Sequence, residues 1–400
     1  MNGKIFVSTQ PFPLWTKGFI MICLAHVCMT VGFYASMPVY AMFLEDRFTI
    51  TGIALGAAVA CYTASAILFR MPAGYCLDAF GRKRIYLASY ILFGLLYVFY
   101  PLAESIFSVS CVRILHGALW GISMGAANTV AVDLLPAQRR GEGIGYFGLT
   151  MILSMSIGPA FGTWLATEYG YDAMFLMAAG LALFGFLIIL RLPFPNIPRE
   201  AEPLRLRNLI EPHSLRISLT TLIYCIPYGI VMNFTNSYAR TIPGASAGSF
   251  FFAMALGTAT TRIFCGQVFD RSGPGRIMLV GLGCMVLGYC LLAFAGDAVV
   301  FTLGGLGIGF GYGIAITICQ ASVNSVVPPQ RRGAANGTFM TAFDLGICIG
   351  LLVISPIQHH FGWFAVYCIL VLCICLSAIV FLSLALPHYK ALIRARDNLK

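Results

Sequence analysis

Six ionisable side chains lie inside long apolar stretches of this chain, where charged groups are otherwise rare. They are His26, Arg70, Arg113, His116, Arg262 and Asp344. A charge at the centre of a lipid bilayer costs about 2.5–3.5 kcal/mol on insertion scales, so each of them should face an aqueous cavity or a partner. The chemistry open to such a set is ion pairing, proton binding and the binding of a charged solute.

Asp344 is the sole acid deep in any apolar stretch, and two interpretations of it stay open. Without a partner, burial would favour its neutral form, which suits a proton carrier. With an arginine on another helix, it would form a permanent ion pair. His26 leaves a similar choice: a free imidazole titrates at about pH 6.5 and could bind a proton, but a histidine in an apolar helix can equally be a hydrogen-bonded packing residue.

The chain repeats itself at a fixed offset of 192 positions. Residues 70–84 recur as 262–276, and residues 136–147 recur as 328–339, in both cases without a gap. A repeat of this kind predicts two copies of one supersecondary unit, each of which needs its twin to bury its apolar surface.

The ionisable residues do not all follow the repeat. Arg70 matches Arg262, which favours a structural brace at a cytoplasmic gate for both. Arg113 and Asp344 match uncharged residues in the other copy, and this broken symmetry indicates function. The glycines spaced by four residues do follow the repeat, and they predict close helix packing rather than a ligand site. They are Gly117, Gly121 and Gly125 in the first copy and Gly305, Gly309 and Gly313 in the second.

The composition is that of a membrane protein, with 59% apolar and only 10% charged residues. Twelve apolar runs reach the length of about 20 residues that a membrane-spanning helix needs. They lie near 18–44, 52–77, 85–104, 107–135, 142–167, 171–191, 214–239, 247–269, 276–296, 298–327, 333–357 and 362–386. Because the runs are continuously apolar rather than alternating, they favour helices over a lipid-facing barrel. We therefore predict an all-α integral membrane protein of twelve transmembrane helices in two pseudo-symmetric six-helix bundles.

Composition also predicts the domain boundaries. Residues 1–192 would form the first bundle and 214–388 the second, and the proline-rich segment 193–213, with mixed charge, would form a cytoplasmic linker. We expect residues 389–400 to form a basic cytoplasmic tail.

The net charge of +10 is concentrated in alternate loops, so it predicts orientation rather than nucleic-acid binding. The basic loop residues that share one side are Arg82, Lys83, Arg84, Arg139 and Arg140 in the first copy and Arg271, Arg276, Arg331 and Arg332 in the second. They place both termini in the cytoplasm by the positive-inside rule. No cleavable signal peptide is expected, so the first helix would direct insertion into the plasma membrane, in a bacterium the inner membrane.

The 14 cysteines lie within the spans and suggest neither disulfides nor a zinc site, and His359 and His360 lack the carboxylates of a metal site. No cofactor or metal is expected.

Three local patterns resemble the major facilitator superfamily. The loop after the second span is similar to the family's G-x-x-x-D-[RK]-x-G-[RK]-[RK] signature, and RILHGALWG at 113–121 is similar to its R-x-x-x-G pattern. GPAFG at 158–162 resembles the G-P-x-x-G element of proton-driven exporters. Ser154 and Thr163 stand where exporters often have glycine, which weakens the export direction.

The resemblance implies a cytoplasmic gate. Asp78 would dock on the amino-terminal end of the eleventh helix near Gly333, where the helix dipole favours a negative charge, and Arg82 would pair with Asp133. The alternative is a simple stop-transfer charge cluster. The residues assigned to gating are Gly74, Asp78, Gly81, Arg82, Arg84, Asp133, Gly158, Pro159, Asp270 and Arg271.

The resemblance also implies a central cavity surrounded by the first, fourth, seventh and tenth helices. The residues assigned to binding of substrate or protons, with Asp344 as the proton carrier, are His26, Tyr34, Arg113, Trp120, Asn233, Asn236, Gln320 and Asp344.

These observations predict a secondary transporter that works by alternating access, exchanging protons for a small organic solute that leaves the cell. Proton-coupled uptake of a sugar or organic acid is the alternative within transport, and a non-transporting membrane sensor is a further one. The sequence contains no catalytic constellation that would indicate an enzyme and no phosphate-binding loop that would indicate a primary pump. We expect a monomer in the lipid bilayer.

Overall fold

The computed structural model describes residues 13–136, 139–194, 210–328 and 332–397. Within these ranges the chain is helical and contains no strand. The helices of the first half are α1 (Lys17–Phe48), α2 (Gly52–Phe80), α3 (Arg82–Leu102), α4 (Ile106–Leu134), α5 (Arg140–Tyr169) and α6 (Tyr171–Leu190).

The second half has the same plan. Its helices are α7 (Leu215–Ala239), α8 (Ala247–Ser272), α9 (Gly275–Ala293), α10 (Ala298–Ser325) and the segment Arg332–Val380. Gly362 has non-helical torsion angles inside that segment, so it is two helices, α11 before Gly362 and α12 after it. A π-helical turn, Phe381–Ala385, leads into α13 (Leu386–Asp397). The fold predicted from sequence, twelve spanning helices in two six-helix bundles, is confirmed.

Eleven described segments are long and apolar enough to cross a membrane, and α8 is the twelfth spanning helix. Side chains in the turns fix where several helices begin. The Thr16 hydroxyl accepts a hydrogen bond from the Phe19 amide, and the Asp297 carboxylate accepts from Val299 and Val300. Such caps satisfy amides that the first helical turn leaves unpaired.

Glycines with positive φ end or begin helices at equivalent places in the two halves. The described chain has six of them, and they form three pairs at the offset of 192: Gly52 with Gly244, Gly81 with Gly273, and Gly170 with Gly362. Glycine adopts these torsion angles without the clash that a β-carbon would cause. The two copies therefore share their turns as well as their helices.

Within each bundle, the glycine ladders let pairs of helices approach closely, as the sequence predicts. In the first bundle α4 packs on α2, and a β-carbon at Gly117 would collide with the Tyr62 carbonyl oxygen. In the second bundle α10 packs on α8, and a β-carbon at Gly309 would collide with the Met254 carbonyl. Tyr62 and Met254 are themselves 192 positions apart, so the two contacts are copies of each other.

The two bundles meet along three seams: α2 against α11, α5 against α8, and α1 against α7. We call the membrane face where α1 begins the near end, and the face where α1 and α7 end the far end. The core of each bundle is built from apolar side chains, whereas the polar contacts between bundles lie at a few places along the seams. Those places position the candidate site.

Candidate functional site

An ion pair joins the two bundles near the middle of the α2–α11 seam. Arg70 Nη1 lies 2.5 Å from Asp344 Oδ2, and the two side chains are only 20% and 17% exposed. Arg70 lies ten residues before the end of α2 and Asp344 twelve residues after the start of α11, which puts the pair about 15–18 Å from the near end. Of the two interpretations of Asp344 that the sequence left open, the structure has the ion pair.

Aromatic side chains of both bundles surround this pair. Tyr34, on α1, is buried and lies within electrostatic range of Arg70, Asp344 and Tyr228. Tyr228, on α7, packs its ring 5.6 Å from that of Phe343, the neighbour of Asp344. The ion pair therefore lies in a largely apolar, aromatic setting, in which a charge depends strongly on its partner.

A small cavity lies beside Tyr228, at the α5–α8 seam. It is lined by Met155, Ser156, Tyr228, Phe251, Met254, Ala255, Thr258, Tyr312 and Ile316. None of these side chains is charged, and their polar groups are hydroxyls. The chemistry of this lining suits an apolar or aromatic group that a few hydrogen bonds orient. The methionines are flexible enough to fit more than one shape.

Arg113 lies inside the first bundle, where α1, α2, α3 and α4 converge. Its side chain is 3% exposed, and its Cζ atom lies 3.8 Å from the ring centroid of Tyr40 and 4.5 Å from that of Tyr62. Among the described residues no carboxylate forms an ion pair with it. Aromatic faces attract a guanidinium group, but they offer no acceptor in the plane of its N–H bonds.

His26 packs against α5 within the first bundle. Its Nδ1 atom lies 2.6 Å from Thr150 Oγ1, and its ring contacts Phe147. Thr30, one turn farther along α1, makes the same kind of bond to Ser154 at 2.7 Å. This geometry is that of the hydrogen-bonded packing residue, the alternative that the sequence left open for His26.

The other residues assigned to the cavity lie in different places. Trp120 is buried and stacks on Phe33, with ring centroids 3.9 Å apart. Asn233 donates to the Gly229 carbonyl of its own helix, and Gln320 lies partly exposed on α10. Asn236 is at the α1–α7 seam, where it donates to the Pro38 carbonyl.

A polar clamp joins the bundles at the far end. Arg240 donates two hydrogen bonds to Asp46, at 2.6 and 2.7 Å, and the Tyr171 hydroxyl also donates to Asp46. Ser237 donates to Glu45 at 2.5 Å. The hydrogen-bonded Asp46 carboxylate raises the pKa of Arg240. Two-point recognition of this kind is geometrically specific, so the clamp ties the end of α1 to the end of α7 at the far face.

The sequence patterns did not single out these residues. Glu45 and Ser237 are equivalent at the offset of 192, and the structure shows that they touch. Equivalent residues that touch must lie close to the pseudo-two-fold axis that relates the copies. The repeat shows that the ends of α1 and α7 are equivalent, and the structure adds that they meet.

At the near end, the structure has the pair of Arg82 and Asp133 that the resemblance implied, within the first bundle. Arg84 and Arg271 are exposed. Gly81 forms the turn between α2 and α3. The side chains of Asp78 and Asp270 and the surroundings of Gly74 and Gly333 lie outside the described part of the structure.

Gly158, followed by Pro159 inside α5, lies where α5 crosses α1 against Tyr34.

With this geometry established, comparison with known proteins decides the family. The profile of the Major Facilitator Superfamily matches residues 22–238 and again 217–398. The chain belongs to the Major Facilitator Superfamily. It is therefore an integral membrane transporter of the secondary type that carries small molecules, and not an enzyme.

Its relatives share limited identity over most of their lengths. The staphylopine export protein of Staphylococcus aureus is 21% identical over 366 residues, covering 85% of this chain and 90% of that protein. The multidrug resistance protein MdtG of Escherichia coli is 24% identical over 377 residues, covering 88% and 90%. A crystal structure of a D-xylose-proton symporter superposes with a TM-score of 0.73 at 17% identity, covering 92% of this chain and 96% of that one. The last comparison concerns the fold alone.

Proposed function

We propose that this transporter is a plasma-membrane exporter that exchanges protons for a small organic solute, with Asp344 as the proton carrier and Arg70 as its alternating partner. The observation that carries the proposal is the Arg70–Asp344 pair across the α2–α11 seam. The names of two relatives, an export protein and a multidrug resistance protein, support the export direction.

The pair offers a simple coupling device. While Asp344 is ionised, its attraction to Arg70 holds α2 against α11. A proton that binds the carboxylate removes this attraction, so the closed seam loses its stabilisation and the bundles are free to rock. When the proton leaves on the other side, the pair can form again. A carboxyl group within a seam is thus both a proton site and a conformational switch.

The solute would bind at the lining beside Tyr228 when the α5–α8 seam opens. Tyr228 packs against Phe343, the neighbour of Asp344, so a solute at the α5–α8 seam and a proton on Asp344 at the α2–α11 seam would both act on how the two bundles meet. An antiporter requires that the two occupy the central region alternately. The far-end clamp of Asp46 and Arg240 would then close the site from outside while it is open to the cytoplasm, as alternating access demands.

The test is transport by the purified protein in vesicles with an imposed proton gradient. Wild-type protein should use the proton gradient to drive the solute against its own concentration gradient, in the direction of export. Asp344→Asn should lose this proton-driven flux but keep solute exchange when no proton gradient is imposed. Asp172→Asn, which changes an exposed acid at the start of α6, is the matched control and should behave as wild type.

Direction is measured by comparing inverted with right-side-out vesicles. Accumulation in inverted vesicles, with the proton gradient inward-acidic, is the expected result. Solute movement together with protons in both orientations would instead assign the chain to proton-coupled uptake. Proton-driven flux that survives in Asp344→Asn would remove Asp344 from the coupling step.

A further inference from the structure

The first bundle contains a buried group of polar atoms that have no hydrogen-bond partner. These atoms are Arg113 Nε, the hydroxyl oxygens of Tyr40 and Tyr62, and His116 Nε2. Each side chain is at most 4% exposed, so bulk water does not reach them. Buried polar groups in folded proteins are nearly always paired, so four such atoms together require an explanation.

The four atoms belong to one cluster, which we call the donor nest. The Arg113 guanidinium lies over the rings of Tyr40 and Tyr62, and the ring of His116 lies 5.7 Å from that of Tyr62. Tyr100 closes the nest, because its hydroxyl lies 2.9 Å from His116 Nδ1. One residue comes from each of α1, α2 and α3, and two come from α4, so the tertiary fold alone assembles the nest.

The chemistry of the nest is that of a cation without a balancing anion. A guanidinium group only donates hydrogen bonds, whereas tyrosine hydroxyls and a neutral imidazole can both donate and accept them. No carboxylate in the described part of the chain pairs with Arg113, so the nest carries a net positive charge that its neutral acceptors do not balance. Water could accept these hydrogen bonds but could not neutralise the charge.

We propose that the donor nest binds a small, singly charged anion, either a halide or the carboxylate group of a solute. One cation matches one negative charge, and a dianion would leave a second charge unpaired among apolar side chains. Anions of this size can accept hydrogen bonds from an arginine N–H and two hydroxyl groups at once. This site is separate from the cavity beside Tyr228 and does not depend on the proposed export function.

The nest borders the moving parts of the transporter. Tyr62 belongs to α2, and α2 is the helix of the first bundle that packs against α11. An anion in the nest would therefore act on the α2–α11 seam, and its occupancy should alter the stability of the protein.

The site can be tested with bromide on the purified protein, without any transport assay. Melting temperature is measured against bromide concentration at constant ionic strength, with gluconate as the replacing anion.

Wild-type protein should show a saturable rise in melting temperature as bromide replaces gluconate. Tyr62→Phe and Tyr40→Phe each delete one hydroxyl and should weaken apparent bromide affinity about fivefold or more. Tyr86→Phe is the matched control, since Tyr86 is also buried with an unpaired hydroxyl but lies beside Tyr90, away from the nest. It should bind bromide as wild type does.

Arg113→Gln should abolish the saturable response. If this variant fails to fold, the tyrosine variants still decide the matter. Acetate that displaces bromide would show that the nest accepts carboxylates, and bromide binding that acetate leaves intact would assign it to halides. A melting temperature that does not depend on bromide, or a response that is equal in the wild type and in Tyr62→Phe, would overturn the proposal and leave the nest to water.

Discussion

The ion pair between Arg70 and Asp344 should contribute measurably to the closed α2–α11 seam. Breaking a buried ion pair by removal of one partner costs about 3–5 kcal/mol, because the other charge is left unpaired. Here about one-fifth of each side chain is exposed, at 20% and 17%, so solvent recovers part of this cost. We therefore expect Asp344→Asn or Arg70→Gln alone to destabilise the protein by about 2–3 kcal/mol.

The double variant Arg70→Gln/Asp344→Asn strands neither charge. It should be more stable than the sum of the single variants predicts, with a coupling energy of about 2 kcal/mol. Because the pair joins the two bundles, removing it lowers the stability of those conformations in which this seam is closed. A loss of 2–3 kcal/mol would shift the equilibrium between conformations by about 30–150-fold.

Two measurements on the same four proteins test this reasoning. Thermal unfolding in lipid nanodiscs gives the coupling energy, and the distance between spin labels on the near ends of α2 and α11 gives the conformational equilibrium. Asp172→Asn controls for loss of an acid outside the seam. A coupling energy below about 0.5 kcal/mol, or unchanged label distances in Asp344→Asn, would refute the assignment of this pair as a bundle-to-bundle brace.

Three further predictions concern the far-end clamp, the near-end pair and the helix packing. Asp46→Asn should release Arg240 and increase the rate at which a cysteine placed in the central cavity reacts with a membrane-impermeant thiol reagent from the far side; an unchanged rate would exclude the clamp as a gate. Asp133→Asn should lower the solute exchange rate while surface expression stays normal, since it breaks the near-end pair and not the fold, and a wild-type rate would count against a gating role. Gly117→Ala should lower the melting temperature, with an expected cost of at least about 2 kcal/mol, because its β-carbon would overlap the α2 backbone; Gly148→Ala, where there is open space, should not.

The sequence by itself determined the architecture. Continuous apolar runs specified twelve spanning helices because the bilayer requires backbone hydrogen bonds to be satisfied within each segment. The offset of 192 specified the two copies, and the glycine ladders marked α4 and α10 as helices that pack closely on a neighbour, which the structure shows to be α2 and α8. These features are local or periodic, so each can be read from one short stretch of chain at a time. Asp344 and Arg113 were also singled out, since a charge in an apolar run is conspicuous.

Only the tertiary structure decided what those charged residues touch. Asp344 could have met no partner or any arginine, and its pairing with Arg70 depends on how α11 packs against α2 in the other bundle. His26 was assigned to a cavity, yet the rotation of α1 about its axis directs it to Thr150 of α5. The helices are apolar around most of their circumference, so their sequence periodicity does not reveal which face meets which neighbour. Contacts between helices far apart in the chain are set by the packing of the whole bundle, and for this reason the sequence named the charged residues but not their partners.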